Sequence, residues 1–181
     1  MRKIPDLFPL YKSKNRRQTV TVLIPGSASN KPFFMGINSQ LDLNAKCYDW
    51  KLVKIANLIF GIYYDHDLFY DDDDLCDIRI SCNIFWIVIR SDEIDQGIKY
   101  VEEITKITNK QKTIFLIYND YEEKKYSITK TNFENDCLKF SKNIIFRSLA
   151  NFSMTSILLE SADKAYKTKL EIQSGKKCHI L

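Results

Sequence analysis

The chain has 181 residues, of which 45% are hydrophobic, 13% aromatic and 28% charged, with a net charge of +4. Such a chain forms one folded domain with its own core, and disordered, collagen-like and disulfide-stapled classes are excluded. Its longest apolar run, near Ala56 to Tyr64, falls short of the roughly 20 residues that span a bilayer, and Met1-Arg2-Lys3-Ile4-Pro5 leads into no apolar signal segment. These features predict a cytoplasmic protein.

The five cysteines, at 47, 76, 82, 137 and 178, form no C-x-x-C pair, which argues against a zinc site; four of them read as buried thiols. Charge is unevenly spread. Residues 1 to 17 hold Arg2, Lys3, Lys12, Lys14, Arg16 and Arg17 against Asp6, and residues 164 to 177 hold Lys164, Lys167, Lys169, Lys176 and Lys177 against Glu171, leaving the middle acidic. Basic ends on an acidic body suit an anionic membrane surface better than nucleic acid, whose binders gather charge on the folded face that reads the polymer. Two solvated tails would give the same pattern.

In chain order, Thr19 to Ile24 is a β-branched run that predicts a first strand, ended by Pro25-Gly26. A helix containing Gly36 is expected near Phe33 to Leu41. Lys51 to Ala56 and Leu58 to Tyr64 predict a neighbouring strand pair. Asp71 to Ser81 reads as an irregular acidic segment with room for a further helix; the run Asp71 to Asp74 lacks the ligand spacing of a calcium loop. Asn83 to Ile89 and Thr113 to Tyr118 are almost continuously apolar, as strands buried on both faces must be. Between them Ile94, Ile98, Val101, Ile104 and Ile107 recur at helical spacing, after Asp92 and Glu93 where a helix dipole favours negative charge. Thr131-Asn132-Phe133-Glu134 has the form of a capping box and predicts a helix start, with Phe133, Cys137 and Leu138 as its apolar face. Asn143 to Arg147 predicts the last strand. A final helix from about Ser153 carries Met154, Ile157, Leu158, Ala162 and Ala165 on one side. This order predicts an α/β domain, a six-stranded mostly parallel sheet flanked by helices.

Pro25-Gly26-Ser27-Ala28-Ser29-Asn30-Lys31-Pro32 occupies the place of a G-x-x-x-x-G-K-[ST] phosphate loop, in which backbone amides cradle phosphates, the lysine reaches the outer phosphates and the hydroxyl holds magnesium. Lys31 is kept, whereas Pro32 offers neither hydroxyl nor N–H. Downstream, Asp65-His66-Asp67-Leu68 stands where D-x-x-G would lie, Asn119-Asp120-Tyr121-Glu122 where N-K-x-D would, and Ser148-Leu149-Ala150 where S-A-K would. On these residues, in this order, the chain resembles a divergent Ras-type member of the Ras superfamily of small GTPases over about residues 19 to 170, with residues 1 to 18 a basic extension and residues 171 to 181 a flexible tail.

The resemblance implies a small-GTPase-like fold in which Gly26, Ser27, Lys31, Asn119, Glu122 and Ser148 would meet GTP or GDP weakly, with no tightly bound cofactor. It also marks what is missing. Phe69 stands for the hydrolytic glutamine, and no threonine occurs from Val22 to Ile104 to serve as the magnesium-binding switch residue. No catalytic residue and no metal ligand are therefore assigned. Eight residues separate Glu122 from Thr131, too few for the extra helix of Rho-type members.

Cys178-His179-Ile180-Leu181 matches the C-a-a-X box, with leucine at X favouring geranylgeranyl at Cys178. With Lys176 and Lys177 beside it, one lipid chain plus a basic patch is the two-signal arrangement that stable anchoring requires. The sequence thus predicts a pseudo-GTPase on the cytosolic face of a membrane, acting through protein effectors and not through nucleic acid. The alternative is a divergent GTPase switch that binds and slowly hydrolyses GTP.

Overall fold

The computed structural model describes residues 18–37, 41–44, 48–56, 58–66, 79–108, 112–119 and 127–177. The basic N-terminal extension, the acidic run at 71–74, Glu122 and Cys178 lie outside these. The chain forms β1 (Gln18–Pro25), α1 (Asn30–Gly36), β2 (Leu41–Asn44), β3 (Tyr48–Ile55), β4 (Leu58–Asp65), β5 (Ile84–Ile89), α2 (Ile94–Ile107), β6 (Thr113–Tyr118), α3 (Ser127–Phe140), β7 (Ile144–Ser148) and α4 (Met154–Lys177). One sheet takes all seven strands in the order β2-β3-β4-β1-β5-β6-β7. β1 pairs in parallel with β4 and β5, and β5, β6 and β7 continue in parallel, while β3 is antiparallel to both its neighbours. The antiparallel pair set early in a βα series makes the architecture α/β and small-GTPase-like. The six expected strands are present, and β2 adds a short edge strand.

Every residue of β5 and β6 is buried, and alternate side chains serve opposite faces, the period-two consequence of the pleat. Ile84, Trp86 and Val88 join β1, β4, α1 and α4 in one core layer. Phe85, Ile87 and Ile89 join α2 and α3 in the other. Trp86, fully buried, donates from Nε1 to Ser161 Oγ at 3.0 Å and meets Phe33 edge-on, so α4 and α1 are both keyed to the sheet centre. Each such large side chain contributes about 1.5–3 kcal/mol by leaving water.

Several local expectations are corrected. α1 spans Asn30–Gly36 and not Phe33 to Leu41, because Pro32 fits a first helical turn, Ile37 is extended, and Leu41 opens β2. The Thr131 capping box is not a helix start: α3 begins at Ser127, and Glu134 instead accepts the Tyr118 hydroxyl at 2.8 Å. Leu138 is exposed, since the inward stripe is set by Phe133 and Cys137, four residues apart. The backbone is helical over residues 171–177, where a flexible tail was expected, because α4 runs unbroken to Lys177. Lys169, Leu170, Glu171 and Gln173 are good helix formers in this stretch.

Cys82 and Cys137 are buried free thiols, as expected; the other three cysteine side chains lie outside the described residues. Burial pushes the Cys82 thiol from its ordinary 9.0 up to about 12, against a smaller lowering by Lys112. Burial, helped by Asp136 and Glu134, does the same to Cys137, also to about 12. A thiol whose folded pKa lies above its unfolded value binds its proton more tightly when folded. That stabilisation is complete below pH 9 and is lost as pH rises toward 12. The melting temperature should thus hold steady up to about pH 9 and fall steeply above it, with neither thiol reacting with Ellman's reagent in the native state at neutral pH. Rapid native labelling of either thiol would contradict this burial.

Candidate functional site

In an open α/β sheet, a ligand sits outside the carboxyl ends of the strands where successive connections leave toward opposite faces. Here that point lies between β1 and β5: β1 leads into α1 on one core layer, and β5 leads into α2 on the other. Gly26, Ser27 and Lys31 follow β1, Asn119 follows β6, and Ser148 ends β7, so all five come to this edge. Asn119 is held by its N–H donating to Ile89 O at 2.9 Å, and Ser148 pairs with Tyr118 in register, followed by Leu149 N–H donating to Tyr118 O at 3.0 Å. With strands about 4.8 Å apart, Asn119 lies roughly 10 Å from the β1 end and Ser148 roughly 14 Å. Glu122 lies outside the described residues.

The β1–α1 loop is knitted to its surroundings. A Cβ on Gly26 would stand 2.4 Å from His66 O and 2.7 Å from Asp65 O, so only glycine allows the loop to pass against the end of β4. The Tyr100 hydroxyl, from α2, donates to Gly26 O. Burial raises the Tyr64 pKa, a backbone hydrogen bond at Ser27 partly opposes the rise, and Asp49 and Asp65 add to it. Ser27 Oγ accepts Asn30 N–H at 3.0 Å, and Ser27 O accepts Lys31 N–H at 3.1 Å. Asn30, wholly buried, accepts Val88 N–H on its Oδ1 at 2.7 Å, which ties the first residue of α1 to β5. The hollow bounded by Ser27, Ile89, Glu93, Gln96 and Tyr100 admits no water-sized sphere. Ser29 Oγ and Asn30 Nδ2 are buried with no hydrogen-bond partner among the described residues.

Asp65, the residue at the D-x-x-G position, is 1% exposed and receives Arg79 Nε at 2.8 Å and Nη2 at 3.3 Å. A bidentate guanidinium thus lies on the carboxylate that the resemblance would place near magnesium. Lys31 is exposed on α1. The buried lysine is Lys51 of β3, whose Nζ donates to Met35 O and Ile37 O at 3.0 and 3.1 Å, over the Phe34 ring. It offsets the carbonyl end of α1. Lys31→Ala should therefore leave the melting temperature within about 1 °C while removing whatever phosphate affinity the loop has, as read by calorimetry. Unfolding of this variant would show that Lys31 is structural.

Tested against a magnesium–nucleotide, the residues present do not fit. The hydroxyl position is Pro32, the acidic position is held by Arg79, the Asn30 and Lys31 amides are taken by Ser27, and the space beside Ser27 is filled. Tyr64, Tyr100, Arg79 and Asn30 were not singled out by sequence reasoning. Only Tyr64 carried a signal, as the last inward position of an alternating strand.

The chain matches no protein-family model and no curated protein sequence.

Proposed function

We propose that this protein is a membrane-tethered, Ras-like pseudo-GTPase that signals or directs traffic by binding protein partners rather than by cycling between nucleotides. The observation that carries the reading is the β1–α1 loop, whose Asn30 and Lys31 amides donate to Ser27 Oγ and Ser27 O and whose Gly26 carbonyl accepts the Tyr100 hydroxyl. A phosphate cradle needs such amides open and convergent; here they serve the fold. Chromatography of the supernatant after denaturing freshly purified protein tests the reading, and stoichiometric guanine nucleotide would overturn it.

The tether rests on Cys178-His179-Ile180-Leu181 with Lys176 and Lys177. No helix among the described residues is long and apolar enough to cross a membrane, which is consistent with a peripheral attachment. A single lipid chain anchors marginally, and each nearby basic residue adds up to about 1 kcal/mol at an anionic leaflet. Cys178→Ser should move the protein from membranes to the soluble fraction with an unchanged melting temperature. An intact, unmodified C-terminal peptide by mass spectrometry, from a host competent for prenylation, would sink the tether.

One observation favours the rival reading of a weak nucleotide switch. Ser29 Oγ and Asn30 Nδ2 are buried polar atoms left over in the loop, and such atoms ordinarily have a partner. The same nucleotide measurement separates the two readings.

A further inference from the structure

At the opposite edge of the sheet, the amino ends of β6 and β7 and the middle of α4 enclose a hollow of about 310 Å³. Its lining is Thr113, Lys142, Asn143, Ile144, Ile145, Lys164 and Lys167. Three lysines from two separate parts of the chain thus face one concavity whose lining contains no carboxylate. Asp163, on the same helix, pairs with Lys167 at 2.9 Å. Lys142 is exposed and has no acidic partner among the described residues. Like charges brought together at one concave place raise its positive potential, which low-dielectric walls focus, here the apolar Ile144 and Ile145.

We infer that this hollow is a binding site for a phosphate-bearing anion. Lysine ammonium groups bind phosphate as mobile point charges, and Thr113 and Asn143 line the hollow beside them. The volume is at the lower end of small-ligand cavities, about 300 to 1,000 Å³, and suits a phosphorylated ring of sugar or inositol size. It lies far from the β1–α1 loop, across the length of the strands, and is independent of any nucleotide.

The phosphate has two sources, a lipid headgroup or a soluble phosphate ester. α4 continues ten residues from Lys167 to Lys177, about 15 Å of helix, and the C-a-a-X box follows it in the sequence. The lipid source rests on the tethered reading above, whereas the anion site does not.

The test uses the full chain made in bacteria, without a lipid chain. Inositol 1,4,5-trisphosphate and inorganic phosphate are titrated by calorimetry, and flotation is measured with vesicles of phosphatidylcholine alone or doped with phosphatidylinositol 4,5-bisphosphate. Binding is expected to weaken about tenfold or more in Lys142→Gln/Lys164→Gln and to survive in Lys142→Arg/Lys164→Arg. Lys142→Gln alone, at an exposed position, should keep the melting temperature and still weaken binding. Lys54→Gln, an exposed lysine on β3, removes a charge elsewhere and should change little. Binding to doped vesicles but not to the soluble probes assigns a lipid ligand, and binding to the soluble probes assigns a phosphate ester; either supports the site. No binding of any probe, or an equal loss in Lys54→Gln, overturns it. Unmodified Cys178 in the mature protein would remove the tether and leave these results standing.

Discussion

Titration with magnesium and GTP or GDP should give affinities about three powers of ten or more below those of a site with its magnesium hydroxyls and acidic residue in place. The family arrangement uses a hydroxyl after the loop lysine, a switch threonine and the D-x-x-G carboxylate. Here the first is Pro32, no threonine lies between Val22 and Ile104, and Asp65 is held by Arg79 at 2.8 Å. Hydrogen bonds to charged groups are commonly worth about 1.5–3 kcal/mol each. Losing even three at the lower value exceeds 4 kcal/mol, and every 1.4 kcal/mol is about tenfold. Pro32→Ser tests whether the defect is one residue deep. It restores a hydroxyl, yet Asp65 stays on Arg79 and the Asn30 and Lys31 amides stay on Ser27, so affinity should recover by less than about tenfold. Tight binding in Pro32→Ser would show that the surrounding pairings yield easily to a ligand.

Arg79→Ala should destabilise the domain by about 3–5 kcal/mol, because it takes a bidentate guanidinium away from an almost fully buried carboxylate. Both side chains are almost completely enclosed, at 4% and 1% exposure, and the contact is bidentate. With domains commonly stable by about 5–15 kcal/mol, such a loss takes a large fraction of the total. Denaturant unfolding of Arg79→Ala, Asp65→Ala and the double variant measures the coupling, which should be large and should make the double variant less damaging than the sum of the singles. The pair Arg90–Asp92 provides the contrast: its side chains are 46% and 65% exposed, and removing it should cost under about 1 kcal/mol. If Arg79→Ala melts like the wild type, Asp65 is not dependent on this partner and the account of why it cannot serve magnesium fails.

The two results bear on each other through β4. Tyr64 and Asp65 are its last residues, and Asp65 is paired with Arg79. Gly26 passes against the same strand end. Gly26 and Asp65 thus hold β1, β4 and the helical residue Arg79 together.

Local sequence determined the elements whose burial repeats along the chain. β5 and β6 were legible because a strand covered on both faces is apolar at every position, and α2 because Ile94, Ile98, Val101 and Ile104 return with the helical period. The early strand pair and the final helix were legible for the same reason, and with them the α/β class. The start of α3 was not, since Thr131 to Glu134 has the letters of a cap while Glu134 is drawn to Tyr118 from another strand. Nor was β2, whose pairing with β3 depends on an edge being open beside it.

What the site can do was decided by the tertiary structure. Asp65 finds Arg79 14 residues away, Gly26 finds Tyr100 74 residues away, and Asn30 finds Val88 58 residues away. The lysines at 142, 164 and 167 share a hollow only because α4 returns along the sheet to the amino ends of β6 and β7. The physical reason is the same in each case. Periodicity records how much of an element is buried, a property of neighbouring residues, whereas the partner of a buried polar group depends on strand order and register, which parallel crossovers set over long stretches of chain.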